Sequence, residues 1–345
     1  MNFALIGCGR IASRHADSLS EIKDARLVAV CDTIETRALN FAKKYNANSF
    51  VDYRRMLDDK SIDVVNIATP SGLHAQIAID ALNAGKHVIV EKPLAMNLDQ
   101  INLIIECVHK TKRKLCVVLQ NRFNPPVQEL KAIIDAGKLG NTLLGNATVR
   151  WYRPQEYYED GWHGTKGMDG GAFLNQSIHH IDALQWLMNK PVVSVFAYTA
   201  TLLHKMEMED VGVAVMRFQG GALGVIEAST ITYPENLEGS VSIFGDKGSM
   251  KIGGTALNRK SIWKIEGELE HEREILTKDQ LDPVDVYGKS HKAVFLDMMS
   301  AIIQNREPQT NCYEARKSVA LVQAMYQSSE SGQEVNISQD YWATT

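Results

Sequence analysis

The 345-residue chain carries 37 Lys and Arg against 41 Asp and Glu, a net charge of −4, and 45% of its residues are hydrophobic. This composition is typical of globular proteins, and it offers no general attraction for nucleic acid or for anionic membranes. The length exceeds what one core usually organises, so we expect two domains.

The chain contains no run of 18 apolar residues, and its start, "MNFALIG", lacks the basic region of a secretory signal. We therefore expect a cytoplasmic enzyme or binding protein without a membrane partner. The cysteines are scattered, odd in number and mostly inside apolar runs, which predicts buried reduced thiols rather than disulfides or a zinc site. They are Cys8, Cys31, Cys107, Cys116 and Cys312.

From residue 1 to about residue 122, short apolar runs alternate with helical patterns. The runs show little polar alternation, which is typical of strands that are buried on both faces of a parallel sheet. They are "NFALIG", "RLVAVCD", "DVVNIATP", "HVIVEKP" and "KLCVVLQN". The pattern predicts repeated βαβ units, and hence an α/β Rossmann domain with a doubly wound parallel sheet over 1–122.

After a helical pattern in "NPPVQELKAIIDAGKLG", the runs become longer and acquire a period of two. These runs, "VVSVFAYTATLL", "DVGVAVMRFQ", "ALGVIEASTITY" and "GSVSIFGDKGSMKIGG", are separated by turn residues. Two helical patterns near 288–304 and 313–331 finish the chain. We therefore predict a second α/β domain over 123–345, built on a large, mostly antiparallel open sheet.

The stretch "GCGRIA" lies between the first predicted strand and the first predicted helix. Gly7 permits a tight turn, Gly9 lets the backbone approach a pyrophosphate, and the helix N-terminus supplies N–H groups. Asp32 ends the second strand, where a carboxylate accepts from a ribose hydroxyl and repels a 2′-phosphate. The pattern predicts a dinucleotide site, with NAD as the expected cofactor and NADP less favoured.

The run "HVIVEKPLAMN" ends a buried strand in Glu91, Lys92 and Pro93. Ligands of such sheets bind at the carboxyl ends of the strands, so Glu91 and Lys92 are expected in the cofactor crevice. The alternative is a surface strand end with a solvated ion pair. A cis peptide bond before Pro93 is a further hypothesis.

The stretch "DGGAFLNQSIHHIDALQWLM" predicts a helix on which Asn175, His179 and Asp182, spaced i, i+4 and i+7, share one face. We expect this face to line a polar cleft. His180 lies about 100° away on that helix, so it is expected in packing or at the surface. At most one of the two adjacent histidines is expected to be a catalytic base.

Taken together, "GCGRIA", "ATPSGLHAQIAIDALNAGKHVIVEKPLA" and "GGAFLNQSIHHID" resemble the glucose–fructose oxidoreductase / inositol dehydrogenase family. The resemblance implies a Rossmann domain, a C-terminal domain whose open sheet often forms an oligomer interface, and oxidation or reduction of carbohydrates with NAD or NADP. It also implies that Lys92 orients the reacting hydroxyl and that His179 is the general base. Asn175 replaces an Asp that is common in the family, so it is expected to bind a sugar hydroxyl rather than to act as a carboxylate partner.

Within the family, the segment from "RWYRPQEYYEDGWHG" onward is similar to enzymes that oxidise the 3″-hydroxyl of UDP-N-acetylglucosaminuronate in surface-polysaccharide synthesis. Arg153 could bind a sugar carboxylate or a diphosphate. Aromatic rings nearby could stack on a sugar or uracil ring, or could simply pack a loop against the core. They are Tyr152, Tyr157, Tyr158 and Trp162.

The expected partner is a carbohydrate, most simply a UDP-sugar, and the expected assembly is a homo-oligomer, either a dimer or a tetramer. Alternatives are an inositol or free-sugar dehydrogenase of the same family, a non-catalytic NAD-binding sensor, and an enzyme that recycles its NAD on a keto acid. The expected cofactor-binding residues are Gly7, Gly9, Arg10, Ile11, Asp32, Thr69, His74, Glu91 and Lys92, although His74 could be an ordinary residue on a helix surface. The expected substrate-binding residues are Lys92, Arg153, Tyr157, Asn175 and His179.

Overall fold

The computed structural model describes residues 1–254, 256–271, 276 and 290–342. The chain divides into two compact units. Unit 1 consists of Met1–Leu119 and His291–Arg316, and unit 2 consists of Gln120–Ser290 and Lys317–Thr345. Within the described ranges, no helix combines the length and the apolar character needed to cross a membrane.

Unit 1 is built on a six-stranded parallel sheet with the strand order β3-β2-β1-β4-β5-β6, which is the strand order of the Rossmann fold. The strands are β1 Asn2–Ile6, β2 Arg26–Cys31, β3 Asn48–Phe50, β4 Val64–Ile67, β5 His87–Val90 and β6 Leu115–Val117. All four residues of the central strand β4 are buried, because helices cover both faces of such a sheet. The predicted parallel sheet is confirmed, and only the short polar edge strand β3 was not anticipated.

Unit 2 contains an eight-stranded sheet with the order β13-β12-β11-β7-β10-β9-β8-β14. Strands β10 and β7 pair in parallel, and every other neighbouring pair is antiparallel. The strands are β7 Thr142–Arg150, β8 Val192–Ala200, β9 Val211–Phe218, β10 Leu223–Ser229, β11 Glu238–Gly245, β12 Gly248–Gly253, β13 Arg259–Ile265 and β14 Val335–Asn336. The predicted mostly antiparallel sheet is confirmed.

One face of this sheet carries exposed apolar side chains. Burial alternates along β9, where Val213 and Val215 are exposed. Val215 pairs with Phe196 on β8 and with Val225 on β10, so an apolar row crosses three strands. We refer to this row and its neighbours as the open face.

The helices follow the predicted helical patterns, except that the short helix Tyr53–Leu57 was not anticipated. They are α1 Ala12–Ser20, α2 Glu35–Tyr45, α3 Tyr53–Leu57, α4 His74–Asn83, α5 Leu98–Thr111, α6 Pro125–Asp135, α7 Ile178–Met188, α8 His291–Gln304 and α9 Cys312–Ser331. Shorter 3₁₀ turns span Ser71–Leu73, Gln120–Phe123, Gln155–Tyr158, Leu269–His271 and Gln339–Trp342, and a π-turn spans Ala172–Gln176.

Helix α8 belongs to unit 1 although it follows unit 2 in the sequence. Its Phe295 meets Phe3 of β1 edge-on, with ring centroids 5.9 Å apart, and also meets His15 of α1 at 5.7 Å. The Rossmann core therefore includes a helix from the late part of the chain. All five cysteines are buried and unpaired, as expected.

Candidate active site

The glycine-rich turn between β1 and α1 is held by hydrogen bonds to the end of β2. Gly7 N donates to Cys31 O at 2.8 Å, and Cys8 N donates to Asp32 Oδ2 at 2.9 Å. Gly7 has a φ of +93°, and a Cβ at this position would lie 2.5 Å from Ala68 O. Only glycine satisfies both constraints.

Gly9 occupies a different environment. No heavy atom lies within 4 Å of the position that a Cβ would take there, so the backbone faces open space immediately before α1. Arg10 is exposed, and the half-buried Ile11 caps the helix and packs on the core. With Asp32 at the end of β2, these features fit a dinucleotide whose pyrophosphate lies on the helix N-terminus.

Glu91, directly after β5, is bonded to a buried histidine of α1. His15 Nε2 lies 2.8 Å from Glu91 Oε1, while Asn66 Nδ2 lies 2.7 Å from His15 Nδ1. Because the Asn66 amide nitrogen can only donate, His15 Nδ1 accepts and Nε2–H donates to Glu91. Burial alone would raise the pKa of Glu91, but the hydrogen bond from His15 and the positive charge of Lys92 lower it to about 2.

His291 of α8 completes this cluster. Its ring centroid lies 5.4 Å from that of His15, and its Nε2 has no hydrogen-bond partner among the described residues. Burial lowers the pKa of His291 to about 4, so the ring is neutral. The ligand atoms of His15, Glu91 and His291 all lie within 4.8 Å of one another. They could hold a divalent cation only if the His15–Glu91 hydrogen bond were broken.

Lys92 and its neighbours form the carboxyl end of β5. Lys92 N donates to Glu91 Oε2 at 3.1 Å, and the Lys92–Pro93 peptide bond is cis, as hypothesised. His74 is buried, which corrects the expectation of a helix-surface residue. Its Nδ1 and Nε2 lie 2.8 Å from Pro93 O and 2.9 Å from Thr69 O. His74 therefore joins the ends of β4 and β5, because both carbonyl groups follow those strands.

In unit 2, the stretch before α7 is a π-turn rather than a regular helix. Ser177 N donates to Ala172 O at 2.9 Å, a five-residue spacing. Asn175 lies within this turn, and His179 is the second residue of α7. The simple i, i+4, i+7 face of the sequence prediction is therefore interrupted.

Asp182 does not join a polar cleft, which corrects the sequence expectation. It is buried and receives two bonds of 2.7 Å from Arg122, with a third from Ser318 Oγ at 3.0 Å. This is a structural ion pair within unit 2. The half-buried His179 and the buried Asn175 remain as candidate site residues of this segment.

His180 is a packing residue, as the sequence indicated. Its ring meets Trp151 edge-on, with centroids 5.6 Å apart, and neither ring nitrogen has a hydrogen-bond partner in the described part of the chain. Burial lowers the pKa of His180 to about 4, because protonation would place a charge in this sealed environment.

Asn175 is bonded to a buried carboxylate that the sequence analysis did not single out. Asn175 Nδ2 donates to Asp169 Oδ1 at 2.5 Å, and Gly164 N donates to Asp169 Oδ2 at 2.8 Å. Only 1% of Asp169 and 7% of Asn175 are exposed. An Asp immediately before a Gly-Gly pair was the available sequence signal.

Arg153 is fixed by neighbouring polar groups. Its Nη1 donates to Tyr152 O at 2.6 Å and to Asn236 Oδ1 at 3.1 Å, and its Nη2 donates to Gln176 Oε1 at 2.7 Å. Gln176 in turn donates to the Tyr157 hydroxyl at 3.0 Å. Arg153, Gln176 and Tyr157 therefore form one connected polar group, and Gln176 is the member that was not predicted from the sequence.

The predicted aromatic residues mostly contact one another. Tyr157 meets Tyr158 edge-on at 5.0 Å and lies 4.1 Å from the His163 ring, and His163 stacks on Trp162 at 3.7 Å. Burial raises the pKa of Tyr158 to about 12. These contacts match the loop-packing alternative, while Tyr152 belongs to a separate pair with Tyr233.

Comparison with known proteins identifies the family. Residues 1–119 match the model of an oxidoreductase family with an NAD-binding Rossmann fold, and residues 127–251 match the GFO/IDH/MocA C-terminal domain. The chain is 31% identical over 258 residues to the myo-inositol 2-dehydrogenase of Thermotoga maritima, which covers 72% of this chain and 74% of the relative.

Two solved structures resemble the whole chain. The WlbA dehydrogenase from Bordetella pertussis, in complex with NADH and UDP-GlcNAcA, is 37% identical with a TM-score of 0.91, covering 98% of each chain. The WlbA dehydrogenase from Chromobacterium violaceum, with the same two ligands, is 37% identical with a TM-score of 0.90, covering 99% of this chain and 97% of the other. The chain therefore belongs to the GFO/IDH/MocA family and is an NAD-dependent oxidoreductase that acts on CH–OH groups.

Proposed function

We propose that this enzyme oxidises the 3-hydroxyl of UDP-N-acetylglucosaminuronate, or of a close UDP-sugar, to a ketone. The observation that carries the proposal is the 37% identity, over nearly the full chain, to two dehydrogenases crystallised with NADH and UDP-GlcNAcA. The presence of Arg153, Asn175 and His179 in this chain is consistent with it. Such a keto sugar would serve a later step in surface-polysaccharide synthesis, and we place the reaction in the cytoplasm.

Unit 1 is proposed to hold the dinucleotide. The open space at Gly9 accommodates the pyrophosphate, and Asp32 accepts a hydrogen bond from a ribose hydroxyl. Arg10, Ile11 and Thr69 are proposed to complete the binding surface. When bound, NAD supplies the hydride acceptor.

His179 is proposed as the general base that takes the proton of the hydroxyl being oxidised. Lys92 is proposed to stabilise the negative charge that develops on the same oxygen. The carbon loses its hydrogen as hydride and the hydroxyl oxygen loses its proton, so the alcohol becomes a ketone. Glu91, held ionised by His15, fixes the backbone amide of Lys92.

The polar group of Arg153 and Tyr157 is proposed to bind the substrate. The orientation of the Arg153 guanidinium is set by Gln176 and Asn236, so a sugar carboxylate or a diphosphate would meet a preorganised donor group. Burial and the charge of Asp169 raise the pKa of Tyr157, so its hydroxyl stays protonated. Asn175 is proposed to bind a sugar hydroxyl.

A second candidate function is oxidation of inositol or a free sugar, which the 31% identity to a myo-inositol 2-dehydrogenase supports. A non-catalytic NAD-binding sensor is less favoured, because a sensor needs no base at position 179. Recycling of bound NAD by a keto acid would be an addition to the first function rather than an alternative.

The test is NADH formation, followed by absorbance, with purified protein, NAD and one sugar at a time. UDP-N-acetylglucosaminuronate, UDP-N-acetylglucosamine, myo-inositol and glucose form the panel. Turnover of the first compound alone supports the proposal, and turnover of myo-inositol alone replaces it with the second candidate. A complete lack of NADH formation, together with measurable NAD binding, would favour the sensor.

We also propose that the chain forms a homo-oligomer through the open face. Val213, Val215 and Leu223 are exposed there by 44%, 54% and 47%, and a contiguous apolar surface of this kind usually marks an interface. Replacing Val215 with Lys should reduce the molar mass measured by light scattering if the face joins subunits. An unchanged mass would exclude this face as the interface.

A further inference from the structure

The carboxylate of Asp169 is assigned no contact with the substrate in the reaction proposed above, yet it is among the most buried acidic groups of unit 2. Both of its oxygens accept hydrogen bonds, Oδ1 from Asn175 Nδ2 and Oδ2 from the backbone of Gly164. An ionised carboxylate can accept from both of these donors, because each of its oxygens is an acceptor.

An acceptor-only partner decides the orientation of the Asn175 side chain. If the carboxamide were rotated by 180°, its oxygen would face the Asp169 oxygen and two buried acceptors would repel each other. Asn175 Nδ2 must therefore face Asp169, so Oδ1 lies on the other branch of the carboxamide and can only accept. Donation from Nδ2 to a carboxylate also polarises the amide and strengthens its oxygen as an acceptor.

The backbone between the two residues keeps this pair in register. Gly170 has a φ of +90°, and a Cβ on Gly171 would lie 2.2 Å from Glu209 Oε2. Glu209 Oε1 accepts from Phe173 N at 2.8 Å, at the start of the π-turn that contains Asn175. The Asp169–Asn175 segment is thus fixed at several points by bonds to other parts of unit 2.

We propose that Asp169 is a positioning residue that holds the Asn175 carboxamide so that its oxygen accepts a hydrogen bond from a hydroxyl of the sugar. This inference rests on the proposed function for the identity of the substrate. It accounts for an amide at position 175, because the amide acquires a fixed polarity from the neighbouring carboxylate. Asp169 acts through Asn175 and does not itself touch the sugar.

The first test is steady-state kinetics of Asp169→Asn with UDP-N-acetylglucosaminuronate. The variant loses both the charge and the fixed amide orientation, so kcat/KM should fall by about 10- to 100-fold, the loss that follows from one charge-assisted hydrogen bond. The Kd for NAD, which binds unit 1, should not change. The double variant Asp169→Asn/Asn175→Asp restores a carboxylate–amide pair and should recover kcat/KM to within about threefold of the wild type.

Asp246→Asn is the matched control. Asp246 also accepts from a backbone N–H and a side-chain amide of one asparagine, Asn141, at 2.9 and 3.4 Å, but it contacts none of the proposed site residues. Its kinetics should be those of the wild type. Wild-type kinetics in Asp169→Asn, or a failure of the double variant to recover any activity while it remains folded, would overturn the inference.

A second measurement separates this inference from the choice of substrate. In protein labelled with ¹⁵N at asparagine, the side-chain amide signal of Asn175 is assigned by its loss in Asn175→Asp. In the wild type, the side-chain amide signal of Asn175 should lie downfield of the signals of solvent-exposed amides. In Asp169→Asn it should shift back toward those signals. If Asp169→Asn leaves this signal in place, Asp169 does not orient Asn175, whatever sugar the enzyme oxidises.

Discussion

Acid should destabilise unit 2 through one buried imidazole, that of His180. The folded protein lowers the pKa of this ring from its ordinary value of 6.5 to about 4, because the ring is buried against Trp151 and neither nitrogen has a hydrogen-bond partner among the residues that the structure describes. Below its ordinary pKa the unfolded chain binds a proton that the folded chain does not, so stability falls as the pH decreases. At about pH 5 the difference amounts to about 2 kcal/mol, and at about pH 7.5 it is close to zero.

The substitution His180→Leu removes this titration together with both ring nitrogens. All five tryptophans lie in unit 2, so urea unfolding followed by tryptophan fluorescence reports on the unit that contains His180. Between about pH 7.5 and about pH 5, the unfolding free energy of the wild type should fall by about 2 kcal/mol more than that of the variant. The other titrating groups are the same in both proteins, so their contributions to the pH dependence cancel in this difference. Parallel pH dependences for the two proteins would show that the ring protonates without cost, and the reasoning from its burial would be wrong.

His179→Ala should keep the wild-type Kd for NAD, measured by calorimetry. Its rate of NADH formation should fall by about 100-fold or more, as expected for removal of a general base. A near-normal rate would show that His179 is not the base. Gly9→Ala should unfold at the wild-type temperature, because its Cβ meets no protein atom, yet bind NAD at least about tenfold more weakly, whereas Gly7→Ala should lower the unfolding temperature itself. Asp32→Ala should weaken NAD binding by about 10- to 100-fold and reduce the preference of the enzyme for NAD over NADP. An unchanged ratio of the Kd values for NAD and NADP would contradict the role of this carboxylate. Iodoacetamide at neutral pH should leave all five thiols of the native enzyme unlabelled. Burial raises the pKa of four of these thiols to about 12 and also raises the pKa of the fifth, Cys107. Mass spectrometry of protein labelled before and after denaturation checks this.

The buried strands and most helices of both units could be predicted because their signals are local. A run such as "DVVNIATP" has the same apolar character wherever the rest of the chain lies, and β4 occupies it. The Gly-rich turn was recognisable for the same reason, since Gly7 and Gly9 each meet a requirement set within a few residues.

The parts that could not be predicted depend on distant partners. Asp182 has helical spacing from His179, but its side chain is committed to Arg122, 60 residues earlier. Likewise, Glu91 is bonded to His15, 76 residues away, and nothing in "SRHADS" indicates that partner beyond a histidine on the apolar face of α1. The π-turn before α7 was not predicted either, because its first turn is bonded to Glu209, which lies in another part of the sequence.

The late position of α8 in the chain has a consequence for biosynthesis. Residues 1–119 emerge from the ribosome well before His291–Gln304, and at ordinary synthesis rates the intervening stretch takes roughly 10 to 30 s to translate. Throughout that interval Phe3 and His15 lack the helix that covers them in the finished protein. A nascent chain stalled before His291 should therefore present an uncovered apolar patch to chaperones, and the Rossmann half should become protease-resistant only once α8 has been released.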